Sequence, residues 1–115
     1  MIRRFLIAAA ALVALGVPFA ALGQPKAPGD ALTDPALKGP EVIAFMGLKP
    51  GNRVADIIAG RFVRAESQAV GPKGKVYAVM PAEVIKAHPE VGGALTRTAA
   101  DPAYGNVVVS TPPID

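Results

Sequence analysis

The residues of this 115-residue chain best equipped for chemistry lie between Asp56 and His88. They are two carboxylates, Asp56 and Glu83, two guanidiniums, Arg61 and Arg64, the one histidine, His88, and Gly60, which leaves its backbone bare. A carboxylate accepts more than one hydrogen bond at once. Asp56, inside the apolar run Val54-Ala55-Asp56-Ile57-Ile58, and Glu83, at the start of a helical segment, are therefore acceptors for paired donors. Each also has a structural role open to it. Asp56 can cap backbone donors at a strand end, and Glu83 in a first helical turn is favoured by the helix dipole. Gly60 either admits a ligand to the backbone or simply ends the strand. Arg61 and Arg64, near a helix start, can meet an anion or lie on a solvated helix face. His88 has no serine and acid beside it and no metal-ligand spacing, and reads as a helix end. The sequence carries no nucleophile motif, paired carboxylates, triphosphatase phosphate loop or metal cluster, so no metal is expected.

The elements that must position these residues are announced by turns. Lys49-Pro50-Gly51-Asn52 puts proline and glycine where a tight turn needs them and leads into a strand over Val54 to Ile58. Gly71-Pro72-Lys73-Gly74 leads likewise into a strand over Lys75 to Met80. Both runs are short and rich in β-branched residues with little polar alternation, the pattern of parallel strands in an α/β sheet. A helix is expected from Pro40 through Leu48, with Val42, Phe45 and Met46 on one face. A crossover helix follows over Arg61 to Val70, with Phe62, Ala65 and Ala69 inward and Arg64, Glu66 and Gln68 directed elsewhere. Helical segments from Pro81 to His88 and, more weakly, from Glu90 to Ala99 are separated by Pro89. Asp101 to Asn106 is turn chemistry, and Val107-Val108-Val109 is a third strand. Tyr77 and Tyr104 read as packing residues.

Residues 1–23 join a charged head, Arg3-Arg4, to an apolar stretch ending in Ala21-Leu22-Gly23, the pattern of a secretory signal peptide. A retained anchor is the competing reading, since the apolar segment is near bilayer-spanning length. Cleavage implies an exported protein, periplasmic or secreted, with no membrane partner afterwards. It also removes two of the 12 basic residues and none of the 9 acidic ones, so a net charge of +3 becomes +1. A nucleic-acid partner bound through a basic surface is not expected at that charge. The chain has no cysteine, which excludes disulfides and thiolate chemistry. Residues 24–39, rich in Pro, Ala, Gly and Asp, read as a flexible leader, and residues 40–115 as one small domain.

The order helix, strand, helix, strand, helix, strand is that of half a doubly wound fold. The expected class is α/β: a partial Rossmann-like three-layer fold with a parallel sheet of about three strands. Right-handed crossovers would order the strands 3-2-1 with flanking helices. Val54 to Ile58 would then be an apolar strand at a sheet edge, an invitation to pair with another chain. Truncation of a larger domain, self-association through that edge, or poor stability are the expected consequences.

With these residues in place, the stretch from Pro40 to Asp115 resembles the front half of an exported class I S-adenosylmethionine-dependent methyltransferase. Pro40-Glu41-Val42-Ile43-Ala44-Phe45 and Gly47-Leu48-Lys49-Pro50-Gly51 are similar to that family's lead-in helix and turn. Val54-Ala55-Asp56 is similar to its first strand, and Val70-Gly71-Pro72-Lys73-Gly74-Lys75-Val76-Tyr77-Ala78-Val79 to its second. Asp101-Pro102-Ala103-Tyr104-Gly105-Asn106-Val107 is similar to its approach to the third. The resemblance implies S-adenosylmethionine as a small-molecule cofactor and methyl transfer as the reaction. It places Asp56 and Gly60 in the glycine motif after the first strand and Glu83 near the ribose hydroxyls. The sequence departs from the family in having one glycine after the first strand where several are usual, a shorter loop, and Met80 where the ribose-binding acid often falls. Catalytic residues of that family follow a fourth strand, so none is assigned here. The alternative from a different class is a non-catalytic exported remnant or interaction module that uses the open sheet edge.

Overall fold

The computed structural model of the protein describes residues 29–115. The expected signal segment and the first part of the leader lie outside the described residues. Three parallel strands, β1 (Arg53–Ile57), β2 (Lys75–Val79) and β3 (Val107–Ser110), form one sheet in the order β1-β2-β3. Val54, Val76 and Val107 lie side by side across it, as do Asp56, Ala78 and Val109. The helices are α1 (Gly39–Met46), α2 (Val63–Val70), α3 (Ala82–Ala87) and α4 (Pro89–Ala100), with short 3-10 turns at Pro35–Leu37 and Pro102–Tyr104. The protein is thus an α/β domain built on a parallel sheet.

The turn chemistry explains where the strands begin. At Lys49-Pro50-Gly51-Asn52 the Asn52 N–H donates to the Lys49 carbonyl at 3.0 Å, and Gly51 takes a positive φ of 87°. That is the arrangement a type II turn requires of its third residue. Gly74 is needed for space. A Cβ there would lie 2.5 Å from the Val70 carbonyl oxygen and 2.6 Å from that of Asn52, so only glycine lets β2 start against the end of α2. Asn106 completes this junction. Its side-chain amide donates to the carbonyls of Ser67 and Gly71 at 3.0 and 2.8 Å, and Ser67 Oγ bonds its Oδ1, which fastens the start of β3 to the C-terminus of α2.

Both crossovers step in the same direction across the sheet, so crossovers of one hand put their helices on one face. The core lies there. Val76, Ala78 and Val107 pack with Val63 and Val70 of α2, Leu95 of α4, and Tyr104, with Leu48, Val54, Val84, Ile85 and Val91 at its margin. The opposite face carries Arg53, Ala55 and Ile57 of β1, Lys75, Tyr77 and Val79 of β2, and Val108 and Ser110 of β3, none of which belongs to the core cluster. Ile57 remains 63% exposed and Val108 40%. The expected third layer has no element among the described residues.

α4, expected only as a weak helix near Glu90 to Ala99, is the longest described helix. Tertiary packing overrides propensity: a Cβ on Gly92 would lie 3.0 Å from Ile85, so the missing side chain is what lets α3 and α4 approach. Within the leader expected over 24–39, the part from Gly29 is held against the domain. The buried Ala31 donates its N–H to the Arg61 carbonyl at 2.8 Å, and Asp34 caps the Pro35–Leu37 turn.

Candidate functional site

In open α/β sheets ligands collect beyond the carboxyl ends of the strands, and here that region is the β1–α2 loop and the start of α3. Asp56 is the fourth residue of β1, and its side chain lies on the same face as Ala78, toward α2. Half-burial raises its pKa above the usual carboxylate range, and a hydrogen bond from the Gly60 backbone N–H offsets part of that rise. Asp56 and Gly60, matched in sequence only by resemblance, are therefore in contact across a tight loop.

That loop turns at Ile58, which adopts φ 62°. A β-branched residue in the left-handed region is strained, and a glycine would take the conformation without steric strain. The turn is held by the Ile58 and Ala59 N–H groups, which both donate to the Val79 carbonyl at 2.9 and 3.1 Å. Gly60 itself is exposed, has no positive φ, and would meet nothing within 4 Å if it carried a Cβ. The protein's own packing does not require glycine at 60; what glycine leaves there is open space over bare backbone.

Glu66 is the residue that sequence reasoning misplaced. It was expected to point away from the sheet, but it is 3% exposed and belongs with Val63, Ala65, Ser67 and Val70 on the buried face of α2. One of its carboxylate oxygens has no hydrogen-bond partner. Burial, with the negative charge of Asp56 adding to it, pushes its pKa up to about 7. The signal in the sequence was the spacing 63, 66, 67, 70, a helical stripe of two valines with Glu66 and Ser67 between them. A carboxylate looked like an outward residue and set the helix in the wrong rotation.

Glu83 stands in the first turn of α3, exposed, and its Oε2 accepts the Ile114 N–H at 3.1 Å. The C-terminal segment is further tied to this helix start by the Ala82 N–H, which donates to the Pro112 carbonyl at 3.0 Å. Glu83 therefore has one oxygen engaged by the chain and one left for another donor. Met80 is buried and offers no acceptor.

The two arginines are used by the fold. Arg61 donates through Nε to the Gly29 carbonyl at 2.9 Å and pairs with Asp34 at 3.2 Å. Arg64 pairs with Asp30 at 2.9 Å, donates to the Tyr104 hydroxyl at 3.0 Å, and lies 5.2 Å from that ring's centroid. Together they fasten the Gly29–Asp34 segment across α2. His88 is exposed between α3 and α4 and pairs with Glu90 at 3.3 Å. Among the described residues no group of His, Asp and Glu is placed to hold a metal ion. No described helix is long and apolar enough to cross a membrane.

Two open clefts lie away from the carboxyl end of β1. One, of about 660 Å³, is bounded by the Ala31–Lys38 segment, α1 and Gln68; the other, of about 580 Å³, by the α2–β2 turn and the Pro102–Asn106 segment. Neither is lined by Asp56, Gly60 or Glu83. No protein-family model, curated protein or solved structure matches the chain.

Proposed function

We propose that residues 40–115 form the cofactor-binding half of a class I S-adenosylmethionine-dependent methyltransferase-like protein, exported by the segment at residues 1–23. The observation that carries this reading is the β1–α2 loop. The edge strand β1 ends beside a half-buried carboxylate, turns through a left-handed residue, and presents Gly60 to open space, with the Gly60 N–H near enough to Asp56 to offset part of the rise in its pKa. Such a loop gives a nucleoside ligand close access to backbone and an acceptor at its edge.

In this reading Asp56 fixes the loop and accepts a donor from the cofactor, Gly60 supplies the room, and the unengaged oxygen of Glu83 accepts from the ribose hydroxyls. The bound cofactor supplies an electrophilic methyl group on a sulfonium. None of the three residues is given a part in the transfer itself. The test is calorimetric titration of the chain with S-adenosylhomocysteine, with NAD as a control. Saturable binding that Asp56→Ala weakens by about tenfold or more, the loss of one charge-assisted hydrogen bond, is the expected result. A folded chain that ignores S-adenosylhomocysteine, or prefers NAD, overturns the proposal.

A further inference from the structure

The outer edge of β1 presents backbone hydrogen-bonding groups that β2 does not use. The Asn52 carbonyl accepts from the Lys75 N–H and the Ile58 N–H donates to the Val79 carbonyl, so the even-numbered residues from 52 to 58 direct their backbone groups to β2. Strand geometry then points the N–H and C=O groups of Arg53, Ala55 and Ile57 outward. β1 is at the sheet edge, and no described element pairs with those groups. Few of the devices that blunt such an edge are present: β1 contains no proline and no bulge, its charge on the open face, Arg53, stands at its first residue, and its other charge, Asp56, faces α2.

We infer that two copies associate by antiparallel β1–β1 pairing about a twofold axis through Ala55, giving a continuous six-stranded sheet. Of the twofold registers open to this edge, the one centred on Ala55 engages all three outward residues. Ala55 opposes Ala55 of the second copy, and Arg53 opposes Ile57. Centring on Val54 leaves Ile57 without a strand residue opposite, and centring on Asp56 leaves Arg53 so and sets two carboxylates face to face. The Ala55 register puts the smallest side chain of the strand at the axis. It also keeps the two Arg53 guanidiniums far apart, and covers the exposed Ile57 with an arginine stem. A seam of five residues a side is below the usual interface size, so the association is weak, with a Kd of about micromolar.

This inference is independent of cofactor binding, and its tests do not use a ligand. Sedimentation of the full chain between about 1 and 100 μM should show a monomer–dimer equilibrium. Ala55→Pro removes an outward N–H that takes no part in the β1–β2 ladder, as edge strands tolerate. It should leave the circular dichroism spectrum and Tm nearly unchanged while abolishing the dimer. The chain has no native cysteine. Ala55→Cys should therefore cross-link in high yield on mild oxidation, because opposed residues of an antiparallel hydrogen-bonded pair are about 5.5 Å apart at Cα, within disulfide range. Ile57→Cys should not, since those two residues would be about 14 Å apart along the seam. A monomer throughout that range, open-ended assembly rather than a dimer, a folded Ala55→Pro variant that still dimerises, or equal cross-linking at positions 55 and 57 would each overturn the proposal.

Discussion

Replacing Glu66 by glutamine should remove a pH dependence of stability that the fold places in the seam between β1 and α2. Glu66 is buried, leaves one oxygen without a partner, and faces the charge of Asp56, so its pKa stands at about 7 in the folded chain against an ordinary 4.5. The folded state holds this proton more tightly than the unfolded state does. The stabilising contribution is therefore complete below pH 4.5, is lost as pH rises toward 7, and is absent above it. The interval between the two values corresponds to roughly 3 kcal/mol, a large part of the stability of a domain this size. Urea denaturation at intervals from pH 4 to 9 measures it. The wild-type midpoint should fall between pH 5 and 7.5, while Glu66→Gln should show a flatter profile. The variant should also be more stable than wild type at pH 8 by about 1–2 kcal/mol, the carboxylate's penalty less the cost of a buried amide. Asp56→Asn should move the wild-type transition to lower pH by removing the neighbouring charge. If Glu66→Gln keeps the same slope as wild type, Glu66 does not titrate in this range and the argument fails.

Ile58→Gly should raise stability by about 1 kcal/mol, the strain of a β-branched left-handed residue less the backbone entropy of glycine, measurable as a shift in urea midpoint. Asn106→Ala deprives the Ser67 and Gly71 carbonyls of their donor and should cost about 2 kcal/mol; an unchanged midpoint would show that water replaces the amide without loss. Gly74→Ala forces a methyl against the backbone of Val70 and Asn52 and should cost about 3 kcal/mol or prevent folding, read by circular dichroism and thermal melting.

The strands were legible because turns and β-branched runs are local signals. Pro50-Gly51 and Pro72-Lys73-Gly74 set the starts of β1 and β2 within a residue, and α1 and α3 begin where their prolines put them. The apolar face expected on α1 is not buried: Phe45 is 93% exposed and Met46 is exposed as well, because only the start of that helix packs against the domain. The rotation of α2 was not legible, because Glu66 in a buried stripe breaks the rule that carboxylates face water. Nor did periodicity reveal the docking of Gly29 to Asp34, which rests on side-chain bonds from Arg61 and Arg64 rather than on an apolar pattern. At the candidate site, Asp56 and Gly60 were found by motif and do meet. The left-handed turn at Ile58 could not be read from a residue type that ordinarily avoids it.

Among the described residues the helices cover one face of the sheet, and this has a spectroscopic consequence. The chain has two tyrosines and no tryptophan. Tyr104 sits buried in the core with its hydroxyl accepting from Arg64, whereas Tyr77 stands on the uncovered face of the central strand. Phenol emission is thus divided between one fluorophore sealed beneath the helices and one half-buried on the other face of the sheet. Quenching by iodide or acrylamide should resolve the two populations without any label. Loss of the sealed fraction would report unfolding, and protection of the open one would report whatever comes to lie across the bare side of β2.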